Sequence, residues 1–165
     1  MNSVPKGVLV ALIQVLLVGS VGAKFLIDRE SYPRVWIRTR PLDPNLPIRG
    51  RYLRLSGMVV LENQSPALGE NESRRIRLAI QDGMLIARND ESGPLSIRST
   101  RCGAALCWIL VEPLTFFIPE HAVDPSRPRA GEELWVEASL PPRGPPRPIQ
   151  LGVKVDGAMS RIDLR

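Results

Sequence analysis

An all-β fold, an antiparallel sandwich or barrel of about eight short strands preceded by one N-terminal transmembrane helix, is the architecture this sequence predicts. Three observations lead to it. The 165 residues include 16 prolines and 13 glycines, which oppose long helices and suit strands joined by turns. Short segments that alternate apolar and polar side chains recur along the chain, each closed by a breaker. Finally, Gly7–Ala23 (GVLVALIQVLLVGSVGA) carries no charge at all.

The elements follow in order. Val8–Ile27 predicts a helix, because its twenty residues at about 1.5 Å each reach the roughly 30 Å of a bilayer core. The run is apolar on every face, unlike the single stripe of a helix packed on a soluble core. Gln14 and Ser20 are its polar side chains before Lys24, whose ammonium can snorkel toward the headgroups. Val21-Gly22-Ala23 also fits the small-residue pattern of signal-peptide cleavage, but the apolar stretch continues through Phe25-Leu26-Ile27, which favours a retained anchor. The chain therefore divides into residues 1–30, a membrane anchor or signal peptide, and residues 31–165, a β domain. Either reading of the first part sends the second across the membrane. A proline-rich strand domain with two nearby cysteines favours the outer, periplasmic face.

Val35–Thr39 is β-branched and aromatic, and Pro41 stops it. The segment 41–47 (PLDPNLP) is a stiff loop, and Tyr52–Leu61 resumes as a strand with a bulge expected at Gly57. After a polar loop through Ser73, Arg75–Ile80 and Met84–Ala87 flank Asp82-Gly83, the clearest hairpin signal in the chain. Leu95–Arg101 and Cys107–Val111 form a further pair. Glu132–Leu140 alternates, with Leu134, Val136 and Ala138 on one face and Trp135 on the other. Past the stiff segment 141–148, Ile149–Val155 and Met159–Leu164 flank a second turn at Asp156-Gly157.

Composition excludes several functions. The net charge is +5, but Lys6 and Lys24 flank the apolar run, and from Asp28 onward 20 basic residues face 17 acidic ones. Nineteen of the basic residues are arginines scattered among apolar neighbours, so no clustered nucleic-acid footprint exists. One histidine and two cysteines leave too few ligands for a zinc site. Cys102 and Cys107 (CGAALC) are a candidate disulfide in an oxidising compartment, with two buried thiols as the alternative. His121 lacks a Gly-x-Ser-x-Gly elbow or other partner motif, and Glu112 and Glu120 are one pair among many that seventeen acids allow. A Ser/Lys dyad of the kind membrane-anchored β-fold peptidases use would need Lys154, which has no paired serine motif and reads as a strand lysine. No catalytic, metal or cofactor residues emerge.

The strings Arg38-Thr39-Arg40-Pro41-Leu42-Asp43-Pro44 and Ile48-Arg49-Gly50-Arg51-Tyr52-Leu53-Arg54-Leu55 resemble the bacterial GDYXXLXY family. Its Gly-Asp-Tyr-x-x-Leu-x-Tyr stretch follows a Pro-x-Asp-Pro segment. Gly50, Tyr52 and Leu55 match, whereas Arg51 replaces the Asp and Gly57 the final Tyr. Phe116-Phe117-Ile118-Pro119-Glu120 is similar to the family's aromatic-aromatic-Val-Pro-Glu stretch, and Val155-Asp156-Gly157 falls at its late turn. The resemblance implies a membrane-anchored, mostly β domain without established activity, often associated with polytopic membrane proteins. In it Gly50, Tyr52, Leu55, Pro119 and Glu120 are structural: Gly50 gives a tight turn into a strand that Tyr52 and Leu55 anchor. Membrane lipid around the helix and a polytopic membrane protein are the partners this implies. The expected function is that of a non-enzymatic interaction or scaffold module, with Trp135 or Arg49-Gly50-Arg51 as contacts. A signal-peptidase-like hydrolase is the alternative, and a binding module with a ligand in a barrel mouth, which requires a lined cavity, is a third reading.

Overall fold

The structure is a computed structural model and describes residues 4–42, 52–63, 69–119, 121–122, 124–126 and 128–164. The chain separates into two units, Met1–Pro33 and Arg34–Arg165.

The first unit is a single helix, α1 (Val4–Ser31). Within it Gly7–Asp28 supplies 22 residues long and apolar enough to cross a membrane, with none of that span buried against protein. A span of this length and composition fits a single-pass anchor and a signal sequence alike. Ser20 donates its hydroxyl to the Leu17 carbonyl at 2.8 Å, so this polar group is satisfied inside the helix itself. Pro33 ends the helix just after the Tyr32 amide has bonded the Asp28 carbonyl at 3.2 Å.

Among the described residues the second unit contains ten strands: β1 (Arg34–Pro41), β2 (Tyr52–Leu61), β3 (Ser73–Gln81), β4 (Met84–Asn89), β5 (Leu95–Cys102), β6 (Ala105–Leu110), β7 (Leu114–Phe117), β8 (Glu132–Ser139), β9 (Arg147–Val155) and β10 (Ala158–Arg161). All pair antiparallel except β2 with β4, which run parallel over Val60–Leu61. The order β2-β4-β3-β5-β6 closes on itself, because β6 returns to pair with Met58 and Val59 of β2. An open sheet, β10-β9-β8-β1-β2-β7, continues from the same strand. The all-β prediction therefore holds, with a closed ring and an open sheet sharing one member.

β2 is that shared member, and it changes neighbours along its length. Residues Tyr52–Gly57 lie between β7 and β1, whereas Met58–Leu61 lie between β6 and β4. Gly57 marks the exchange. The bulge expected there is absent: β2 runs unbroken, and the glycine is needed because a Cβ would sit 3.1–3.3 Å from Leu110, Ile37 and Leu114 methyl carbons.

The core follows the period of two read from the sequence. β1 buries Val35, Ile37 and Thr39, β2 buries Leu53, Leu55, Val59 and Leu61, and β8 buries Leu134, Val136 and Ala138. The buried hydroxyls of Thr39 and Ser99 are satisfied. Thr39 donates to the Leu134 carbonyl at 3.0 Å, and Ser99 accepts from the Glu72 amide while donating to Gly69. Both Asp-Gly turns form as expected, with positive φ at Asp82 and Gly83 and at Asp156 and Gly157.

Four details differ from the sequence reading. Leu114–Phe117 forms a strand, although only five residues separate Pro113 from Pro119. β3 begins at Ser73, inside the expected loop. β9 begins at Arg147, within the stiff segment, where β8 carries an irregularity between Glu137 and Ala138. β10 ends at Arg161, after which Ile162 and Leu164 pack against the core outside any strand.

Cys102 and Cys107 are joined by a disulfide, with their Cα atoms 5.8 Å apart. They lie diagonally across the β5–β6 hairpin, since Cys102 faces Ala105 and Cys107 faces Thr100. Closing so small a loop removes chain entropy worth about 2 kcal/mol from the unfolded state. The variant with both cysteines changed to serine should lose about that stability in a urea titration. Reductant should do the same to the native chain and nothing to the variant.

Candidate functional site

The exchange of neighbours on β2 leaves an opening. β1 stays paired with β2 only over Thr39–Pro41, and its earlier half, Arg34–Arg38, pairs with β8. Where β1 and β2 part, a groove of about 720 Å³ forms. Trp36 and Arg38 of β1, Met58 and Val60 of β2, and Trp135 of β8 line it. The turn residues Gly83 and Met84 form one lip, and Ala105–Trp108, including the disulfide-bonded Cys107, form another.

All three tryptophans of the chain, with two of its four methionines, line this one groove. Alternation explains why they are available. Val35 and Ile37 point into the core, so Trp36 and Arg38 must point outward. Leu134 and Val136 do the same for Trp135, and Val59 and Leu61 for Met58 and Val60. Val60 and Met84 are 56% and 61% exposed, so apolar surface is open to solvent here. Gly152 on β9 makes room for the indole of Trp36. A Cβ at this position would lie 2.8 Å from the Trp36 ring, and the bare backbone lets the ring lie against β9.

Charge collects at the Trp135 end. Arg38 pairs with Glu133 at 2.7 Å, and the Trp135 indole N–H donates to the other oxygen of the same carboxylate at 3.2 Å. Lys154 stands directly across from Glu133 in the β8–β9 register, yet its ammonium lies over the Trp135 ring, 5.1 Å from the centroid. Arg74 stacks similarly on Trp108 at 4.8 Å. Glu137, on the same face of β8 as Glu133 and Trp135 and the cross-strand neighbour of Trp36, accepts a hydrogen bond from Gln150.

A second, polar depression lies among Ser73–Arg75 and Asn89–Glu91. Three of its four charged lining residues are engaged, Arg74 with Glu72, Asp90 with Arg77, and Arg75 with the Gly93 carbonyl. The Ser92 hydroxyl, followed by the Arg77 guanidinium, holds the Asp90 carboxyl below the usual carboxylate range.

Of the residues singled out in the sequence, Trp135 and Cys107 line the groove, whereas the residues of the family motif do not converge on either depression. Leu55 is fully buried in the core. Tyr52 is 55% exposed and meets Phe117 edge to face, with ring centroids 5.5 Å apart, so it does not anchor β2 in the core as expected. The spacing already forbade that, because positions three apart on a strand face opposite ways. Pro119 accepts a bond from the Ala122 amide at 3.1 Å and has a turn role. Gly50 and Glu120, together with Arg49 and Arg51, lie outside the described residues. His121 is exposed, and Glu112 accepts from the Ser96 amide at 3.4 Å. Among the described residues neither His121 nor Lys154 hydrogen-bonds a serine, and no cluster of three or more His, Cys, Asp or Glu side chains forms a metal site.

Sequence reasoning noted that Trp135 faces outward but missed the groove. The available signal was the outward phase of both Trp36 and Trp135, where alternation usually places polar residues. No protein-family model, no curated protein and no solved structure matches this chain.

Proposed function

We propose that this chain is a membrane-anchored, non-enzymatic β domain of the GDYXXLXY type, an interaction module for a membrane or envelope partner on the outer side of the membrane. One observation carries the reading: a 22-residue apolar span is covalently joined to a strand domain that carries an aromatic, methionine-lined groove of about 720 Å³. Tethering confines such a domain to the membrane surface and raises its effective concentration toward a partner there. Exposed aromatic and methionine side chains are the types that carry binding energy at interfaces. The groove also supports the binding-module reading, which required a lined cavity. The hydrolase alternative finds less support, because Lys154 is engaged with an aromatic ring.

The test is affinity capture from solubilised membranes with three baits: the intact protein, a chain beginning at Asp28, and an intact Val60→Arg variant. The intact protein should recover a reproducible membrane companion, and each of the other baits should recover at least tenfold less. Recovery of no specific companion by any bait would remove the support for this reading.

A further inference from the structure

We infer that the Cys102–Cys107 bond is a thiol–disulfide exchange site, a stoichiometric acceptor of an electron pair from a dithiol. Cys107 is the sulfur attacked, and Cys102 is the sulfur that leaves. The inference goes beyond the interaction-module reading and does not depend on it.

Access comes first. The bond ties the end of β5 to β6 beside the turn at Gly103. Both cysteines are partly exposed rather than sealed in the core, and Cys107 lines the open groove. A thiol therefore reaches the bond without unfolding of the domain. Six paired positions, from Ile97–Leu110 to Cys102–Ala105, hold the hairpin, so its ladder survives opening of the bond.

The two sulfurs have different surroundings. Arg40 follows the buried Thr39 and points outward from β1. Its Nη1 donates to the Arg101 carbonyl at 2.7 Å and to Cys102 Sγ at 3.4 Å. The bond to the backbone thus holds the guanidinium beside that sulfur. Arg101, next to Cys102 in the chain, is paired with Glu70 at 2.8 Å, whereas among the described residues no carboxylate pairs with Arg40. Nor does any cationic side chain among them hydrogen-bond Cys107 Sγ. A neighbouring guanidinium favours thiolate over thiol, and the more stable thiolate is the faster leaving group.

Those surroundings set the direction of the reaction. An incoming thiolate bonds to Cys107 Sγ as the Cys102–Cys107 bond breaks, and the electron pair passes to Cys102 Sγ beside Arg40. The donor's second thiolate then attacks the donor sulfur of the mixed disulfide and expels Cys107. The donor leaves as a disulfide, oxidised by two electrons, and the Cys102–Cys107 pair is reduced by the same two. Of the two protons the dithiol gives up, one ends on Cys107 and the other passes to water while Cys102 stays a thiolate.

The test uses the full chain in lipid nanodiscs. Oxidised protein is mixed with excess glutathione, quenched in acid early in the reaction, digested with pepsin and mapped by mass spectrometry. Glutathione should sit on Cys107 at least threefold more often than on Cys102. Opening by dithiothreitol should be at least threefold slower in an Arg40→Gln chain, which should also lose the preference for Cys107. Arg40→Lys should keep both the rate and the preference. The preference is a ratio within one chain, so a general loss of stability would not move it.

Equal labelling of the two cysteines, or an Arg40→Gln chain that opens at the native rate with the native preference, would overturn the inference. So would a bond that dithiothreitol opens only at urea concentrations that unfold the domain, which would leave the disulfide a structural staple.

Discussion

Leu55→Ala should lower the stability of the β domain by about 3–4 kcal/mol, whereas Tyr52→Ala on the same strand should cost about 1 kcal/mol. Leu55 is fully buried, and its strand is paired on both sides there, with Pro41 of β1 and Leu114 of β7 as direct partners. Truncation leaves a cavity that backbone fixed on two sides cannot collapse to fill. Tyr52 is exposed and loses mainly its edge-to-face contact with Phe117. A urea titration followed by tryptophan fluorescence measures both. The comparison also tests the role of two positions that carry the GDYXXLXY resemblance. Comparable losses at the two would mean that Tyr52 anchors the strand after all.

The second large effect is expected at Gly57. Gly57→Val should destabilise by about 2–3 kcal/mol, because its Cβ alone would press within 3.1–3.3 Å of three core methyl carbons and its branches would force them aside. Gly69→Ala is the control: no atom lies within 4 Å of the added Cβ, and the change should be close to neutral. Gly57→Val should also enlarge the separation of β1 from β2, since Ile37 of β1 is one of the three residues in the way. The same titration, with both variants side by side, decides whether the glycine serves packing. A Gly57→Val chain as stable as the native one would show that the core yields there.

Much of this architecture could be read before the structure. Alternation located β2 at its observed limits and assigned the buried face of β8, because a two-residue period with one face in the core leaves little freedom. The Asp-Gly pairs marked two hairpins through a local need for positive φ. The pairing of β2 with β4 was not legible, since parallel neighbours are decided by the packing of the whole sheet and carry no turn signature. The strand Leu114–Phe117 escaped notice because Pro113 and Pro119 leave only five residues between them, too few for a pattern. For the candidate groove, the outward tryptophans were individually visible. Their convergence depends on β1 pairing with β2 only from Thr39 onward, a long-range arrangement that no local spacing records.

Because β2 is stitched at one end into the open sheet and at the other into the closed ring, the domain has no seam along which to come apart. Peeling the open sheet away strips β2 of the neighbours that hold its first half, and opening the ring strips those that hold the second. Loss of order should therefore spread from either half to the other, making the domain a single all-or-none melting unit whose slowest-exchanging amides lie along this strand.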